Sequence, residues 1–141
     1  MIKQVRFADY VEQITQMMLA NTGIEPVEID IPINRYVQLD QMGVLTPILW
    51  FDGETIKGMA LMMVSPSLRN PKTIDAQADV IYVKPEHRGK SSVFMDGIKE
   101  VLRGLGVSLI YISSREAEPI DGFLIKNNFN PLERVFYCEV A

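Results

Sequence analysis

The spacing of apolar residues along the chain switches repeatedly between a period of two and a period near 3.6. Residues 2–7 alternate well enough for a short strand. Asp9 and Glu12 have the spacing of a capping box, and Val11, Ile14, Met17 and Met18 then recur on one helical face until Thr22 and Gly23 stop it. Pro26 and Pro32 make residues 25–33 a loop, and residues 34–42, carrying Tyr36, Val37 and Leu39, predict a second short helix ended by Gly43. Residues 45–64 read as extended, split into a hairpin by Asp52, Gly53 and Glu54. After a loop over 66–72, residues 73–83 read as a third strand. Its end, VIYV, is apolar on both faces and therefore central in a sheet.

Pro85 closes that strand, and a turn follows over 85–89. Val93, Phe94, Ile98, Val101, Leu102 and Leu105 then fit a helix buried on one side and stopped at Gly104 to Gly106. Residues 107–113 read as another buried strand, so strand, helix and strand demand a right-handed crossover and a parallel pair. Residues 119–128 predict a last helix and 131–140 a final strand. The fold class expected is mixed α/β (α+β): a mostly antiparallel six-stranded sheet with helices on both faces.

Composition narrows the classes. With 141 residues and 48% apolar positions, the chain can bury one sizeable core, so a single domain over 1–141 is expected. The 14 Lys and Arg against 18 Asp and Glu give a formal charge of −4, which offers no global attraction to nucleic acid or anionic lipid. The first ten residues lack the apolar core of a signal peptide, and no apolar run approaches the roughly 18 residues of a membrane span, which predicts a cytoplasmic protein. One cysteine and one histidine exclude an internal disulfide and a Cys/His zinc cluster, and no metal site is expected. Eight methionines read as fillers of an irregular core.

The stretch that carries chemistry is VIYVKPEHRGKSSVFMDGI, residues 80–98. A strand feeding a glycine-bearing turn into a helix start brings backbone N–H groups and the positive end of the helix dipole to one point, a geometry that binds phosphate. Arg88 and Lys90 add two positive charges to an acidic chain, and Ser91 and Ser92 add hydroxyls. The bland alternative is a permissive Gly89, two solvated bases and a capping serine. A nucleotide P-loop is excluded by spacing: Lys84 stands where the pattern needs its first glycine, and the strand SLIYISS ends without the aspartate that would help hold magnesium.

Taken with the element order, YVKPEHRGKSS resembles the strand, V-x-P and R/Q-x-x-G-x-G/A turn of the GNAT superfamily of acyl-CoA-dependent N-acyltransferases. The hairpin LWFDGETIKGMALM and the ending FLIKNNFNPLERVFYCEV are similar to that family's corresponding parts, so the resemblance covers nearly the whole chain. The trimmed length also resembles phage-encoded members. The resemblance implies an N-acetyltransferase that moves an acetyl group from acetyl-CoA, its co-substrate, to a primary amine on a small molecule or on a protein lysine or N-terminus. Main-chain groups of Ile81 and Val83 would pair with the pantetheine arm. Arg88, Gly89, Lys90, Ser91 and Ser92 would hold the pyrophosphate, and a main-chain N–H of residues 80–83 would stabilise the developing oxyanion.

The departures are specific. Glu86 stands where Gln or Arg is usual, and Ser91 replaces the second small residue. Aligning Phe129 with the family's phenylalanine puts Leu124 at the position of a proton-donating tyrosine, and Asn128 at the glycine; Ala117 replaces an asparagine. The expected proton carriers are therefore Asp79 as base and Tyr111 as replacement acid, each weighed against a solvated carboxylate and a core tyrosine. Tyr82, His87 and Cys138 are lesser candidates, His87 because it lies in the phosphate turn. The alternative function is a catalytically degenerate GNAT-fold module that binds CoA or a protein partner. One strand after the last helix, where two are usual, predicts an incomplete sheet edge and homodimerisation through it.

Overall fold

A computed structural model of the chain describes residues 1–21 and 28–140, and its five strands form one sheet in the order β1-β2-β3-β4-β5. Strands β1 (Ile2–Gln4), β2 (Leu45–Asp52), β3 (Thr55–Pro66) and β4 (Ile74–Val83) are antiparallel neighbours, and β5 (Leu109–Tyr111) joins β4 in parallel. The period-two pattern decides which residues face which layer. Leu45, Leu49, Met59 and Leu61 pack with Phe7 and with Ile14, Met17 and Met18 of helix α1 (Val11–Ala20) on one face. Ile48, Trp50, Ala60, Met62 and Ala76 pack with Phe94, Ile98 and Leu102 of helix α3 (Ser91–Gly104) on the other. Helix α2 (Ile33–Gln41) lies with α1, through Tyr36, Val37 and Leu39.

Local signals decide the element ends. Gly53, at φ 61°, opens the two-residue link between β2 and β3, where a side chain would be strained. Gly43, at φ 77°, follows α2, with its N–H donating to Asp40 and that of Val44 donating to Leu39, a Schellman end. The last helix, α4 (Asp121–Lys126), ends in the same motif, with Asn128 at φ 69° and the Phe129 N–H donating to the Leu124 carbonyl at 2.9 Å. Asparagine tolerates this conformation and alanine does not, so Asn128→Ala is expected to lower stability by about 1–2 kcal/mol in chemical denaturation while Asn128→Gly does not. An equally stable alanine variant would show that the motif is not holding the turn.

Several expected boundaries differ. Asp9 does not cap α1: residues Phe7–Asp9 wind as a 3-10 turn and Tyr10 stands at the helix start. Burial dictates this, because Phe7 is fully buried and its N–H donates at 2.8 Å to Asp40, itself buried and 3.7 Å from Arg6. Phe7 thus leaves the first strand, which stops at Gln4. The expected stop at Thr22 and Gly23, and the first part of the 25–33 loop, lie outside the described residues. The strand expected over 107–113 pairs only through Leu109–Tyr111.

Among the described residues the sheet has five strands rather than six. Residues 131–140 form no strand, and Leu132, Val135, Phe136, Tyr137 and Val140 are 73–96% exposed. Hydrophobicity and alternation in that stretch are suited to a strand, yet no sheet edge of the same chain receives it.

Candidate functional site at the open edge of the fourth strand

Strand β4 is paired on both sides for only part of its length. Its parallel ladder with β5 covers Asp75, Ala76 and Gln77 and ends at the pair Gln77 and Tyr111. Toward β3 the pairing continues to Val83, with one irregularity: Leu61 faces Val80 and Met62 faces Ala78, which leaves Asp79 as the extra residue of a bulge. The bulge therefore sits where β4 leaves β5 behind.

Beyond it, the direction of the backbone groups follows from antiparallel alternation. The Lys84 N–H donates to the Lys57 carbonyl at 2.9 Å, so the neighbouring pair Gly58 and Val83 is a non-bonded one, and so is Ala60 and Ile81. Ile81 and Val83 consequently aim their N–H and C=O groups away from β3, toward the side that β5 does not reach. The Val83 carbonyl is already engaged by the Arg88 Nε at 2.9 Å, and the Arg88 guanidinium lies 5.6 Å from the Tyr82 ring centre. Arg88 thus ties the turn to the end of the strand.

The turn itself is a 3-10 helix, Pro85–Lys90, running directly into α3. Its i→i+3 pattern pairs amides internally with poor geometry, which leaves them able to share their hydrogens with an anion. The Ser91 N–H and hydroxyl both donate to the Arg88 carbonyl. No side chain caps the start of α3. Ser92 has a further partner that the sequence did not disclose: its hydroxyl oxygen accepts from the Asn127 side chain at 3.2 Å, and the Asn127 carbonyl accepts from Lys99 at 2.5 Å. Buried Asn127 so links α4 to the head of α3. Gly89 needs no positive φ here, and a Cβ there would meet nothing within 4 Å. His87 lies against the edge of Trp50, 6.4 Å between ring centres, with Glu86 4.0 Å from its Nε2.

Asp79 is exposed on the bulge and accepts a 2.7 Å hydrogen bond from the Tyr36 hydroxyl, 43 residues away on α2. The Tyr36 ring stacks on Phe7 at 5.4 Å, which fixes the hydroxyl. Sequence patterning marks Tyr36 only as a helix position; nothing in it connects α2 to the bulge. Burial, then the hydrogen bond to Asp79, then that carboxylate's charge push the Tyr36 phenol well above its ordinary 10.0. The unfolded chain therefore loses this proton first as pH rises. The stabilisation is complete below about pH 10 and declines above it, and Tyr36→Phe is expected to flatten the alkaline limb of a stability profile. An identical alkaline limb in both proteins would show that the phenol does not contribute.

Tyr111 ends β5 and is 38% exposed. Ile110 packs with the α3 layer, so Leu109 and Tyr111 point to the α1 and α2 face, the face that also carries Val80 and Tyr82. On that same face a cleft of about 490 Å³ is bounded by Tyr10, Gln13, Met17, Tyr82 and Lys84. Leu124, at the position the resemblance gives to a tyrosine, is buried at 8% exposure, and Cys138 is exposed on the segment after α4. Among the described residues, no helix is long and apolar enough to cross a membrane.

No family model matches the chain, and no curated protein matches it in sequence. Solved structures match it over its whole length. An aminoglycoside acetyltransferase from an uncultured soil metagenomic sample, in complex with sisomicin, superposes with a TM-score of 0.78 at 10% identity, covering 100% of this chain and 95% of that one. Glucosamine-6-phosphate N-acetyltransferase from Arabidopsis thaliana gives 0.74 at 10% identity over 100% and 98%. A predicted acetyltransferase from Clostridium acetobutylicum, with acetyl-CoA, gives 0.72 at 16% identity over 99% and 95%. The open β4 edge, the bulge and the turn into α3 thus belong to a chain that has the GNAT acetyltransferase fold.

Proposed function

We propose that the protein is an acetyl-CoA-dependent N-acetyltransferase acting on a primary amine in the cytoplasm. The observation that carries this reading is the alignment along β4 of three features: the exposed Asp79 bulge, the outward backbone groups of Ile81 and Val83, and the turn holding Arg88 and Lys90. The residues present fit acetyl-CoA. Ile81 and the Val83 N–H offer strand-like pairing to a pantetheine amide, as an added strand would use. Arg88, Gly89, Lys90, Ser91 and Ser92 place two cations, hydroxyls and the start of a 14-residue helix around a pyrophosphate.

Acetyl-CoA, when bound, supplies an activated thioester. The Ile81 N–H, pointing into the gap between β4 and β5, donates a hydrogen bond to the carbonyl oxygen as negative charge grows there. Asp79 accepts the proton that the attacking amine must lose, with Tyr36 holding the carboxylate in place. Tyr111, across the gap, returns a proton to the departing sulfur. Atoms balance without a covalent enzyme adduct: one C–N bond forms and one C–S bond breaks.

Mixing the purified protein with acetyl-CoA and a panel of small amines, lysine peptides and N-terminal peptides is expected to release free CoA thiol with at least one acceptor. One observation favours a second reading. Leu124 is a buried apolar residue where the resemblance implies a proton donor, which suits a module that binds CoA without turning it over. Saturable acetyl-CoA binding with no thiol release across the panel would establish that reading in place of the first.

A further inference from the structure

Ser91 and Ser92 stand side by side in the first turn of α3, yet their hydroxyl hydrogens have different fates. A hydroxyl carries one hydrogen and two acceptor lone pairs. Ser91 gives its hydrogen to the Arg88 carbonyl at 2.9 Å. Ser92 instead accepts, from the Asn127 Nδ2 at 3.2 Å. A third group fixes the direction of that bond, because the same Nδ2 donates at 2.8 Å to the Phe123 carbonyl, which can only accept. Turning the Asn127 amide over would set its oxygen against that carbonyl oxygen. An amide nitrogen accepts nothing, so Ser92 cannot return its hydrogen to Asn127, and no acceptor among the described residues takes it. Asn127 is itself held in place. It is 6% exposed, its backbone N–H donates to the Phe123 and Leu124 carbonyls, and its own carbonyl accepts from Lys99, whose ammonium lies 5.2 Å from the Phe129 ring centre.

We propose that Asn127 is a positioning residue for acetyl-CoA: by donating to Ser92, it commits that hydroxyl to donate its own hydrogen to the pyrophosphate. This rests on the reading of the turn into α3 as the acetyl-CoA site. Pyrophosphate oxygens only accept, and a hydroxyl free to rotate would spend part of its time offering them a lone pair. The bond from Asn127 removes that choice. A hydrogen donated to an anion makes a bond roughly twice as strong as a neutral one, and the start of α3 adds its dipole to the same point. The two serines are therefore not equivalent. Ser91 closes the turn onto Arg88, and Ser92 is the hydroxyl that serves the ligand. Leu124, on the same helix as the approach to Asn127, has no polar side-chain group to offer, so α4 acts on the cofactor at its phosphate end, through Asn127.

Titration of the full chain with acetyl-CoA, and with acetylpantetheine, which lacks the pyrophosphate, tests this. Ser92→Ala is expected to weaken acetyl-CoA binding by about 10- to 100-fold, more than Ser91→Ala does, without weakening acetylpantetheine. Asn127→Asp puts a carboxylate where the donor was, which accepts the Ser92 hydrogen and turns it from the ligand, so a comparable loss is expected. In the double variant Ser92→Ala, Asn127→Asp no further loss is expected. Repulsion between the new carboxylate and pyrophosphate, or a loosened α4, would instead weaken binding whether or not the hydroxyl is present. If Asn127→Asp does not fold, the two serine variants decide alone. A Ser92→Ala variant that binds acetyl-CoA like the wild type or loses no more than Ser91→Ala, an equal loss for both ligands, or additive effects in the double variant would each overturn the proposal. A wild type that binds no acetyl-CoA removes the proposed function and this role together, whereas a wild type that binds it while any of those results is found removes this role alone.

Discussion

Asp79→Asn is expected to lower the rate of acetyl transfer by about 10²- to 10⁴-fold, the usual worth of a positioned general base, without changing the affinity for acetyl-CoA. The expectation rests on where the bulge puts this side chain. Asp79 is the residue without a partner on β3, at the level where β4 and β5 separate, and its carboxylate is held by the Tyr36 hydroxyl at 2.7 Å. Asparagine keeps an oxygen to accept that hydrogen bond and nearly the same shape, so the bulge and α2 stay in place while the proton acceptor is lost. Tyr36→Phe removes only the positioning contact, so it is expected to cost less. Measuring thiol release at saturating acetyl-CoA separates the two, and an asparagine variant with full turnover would remove Asp79 from the chemistry.

Gly89→Pro is expected to weaken acetyl-CoA binding by about 10- to 100-fold, the loss of one or two charge-assisted hydrogen bonds. Proline removes the amide at the middle of the turn and drives Arg88, the preceding residue, away from helical backbone angles. Arg88 would then lose its bond to the Val83 carbonyl together with its position for phosphate. The fold has little reason to suffer, because no residue of the 3-10 turn is buried. Gly89→Ala is the control for the protein itself: a Cβ there touches nothing within 4 Å, so any loss of affinity in that variant reports a crowded ligand rather than a strained turn. A proline variant that melts at the wild-type temperature and binds equally well would place the pyrophosphate elsewhere.

Much of the architecture was legible because it is encoded locally. Gly53 in the hairpin and Gly43 after α2 sit at positive φ where the residue pattern placed turns, and Asn128, which the pattern kept inside the last helix, does so at the place the resemblance gives to a glycine. The periodic apolar positions of α1, and Phe94, Ile98, Val101 and Leu102 of α3, pack on opposite faces of the sheet, whereas Val93 and Leu105, expected on the same buried side, are exposed. What the pattern could not carry are contacts between distant segments. Asp9 and Glu12 have the right spacing for a cap, but burial of Phe7 under the Asp40 carboxylate from α2 won over it. The bulge at Asp79 is a one-residue slip that depends on β3, and its partner Tyr36 comes from another layer. Asn127, which links α4 to Ser92 and Lys99, carries no signal in the pattern beyond its place inside the expected helix over 119–128. Residues 131–140 show the limit from the other direction: their alternation is that of a strand, yet they pair with no strand of the described residues.

Isothermal titration of the wild-type chain with acetyl-CoA tests the cofactor site at the open edge of β4 most directly. One saturable site per chain is expected, unchanged in Asp79→Asn and weakened in Gly89→Pro. No detectable binding at millimolar acetyl-CoA would contradict it.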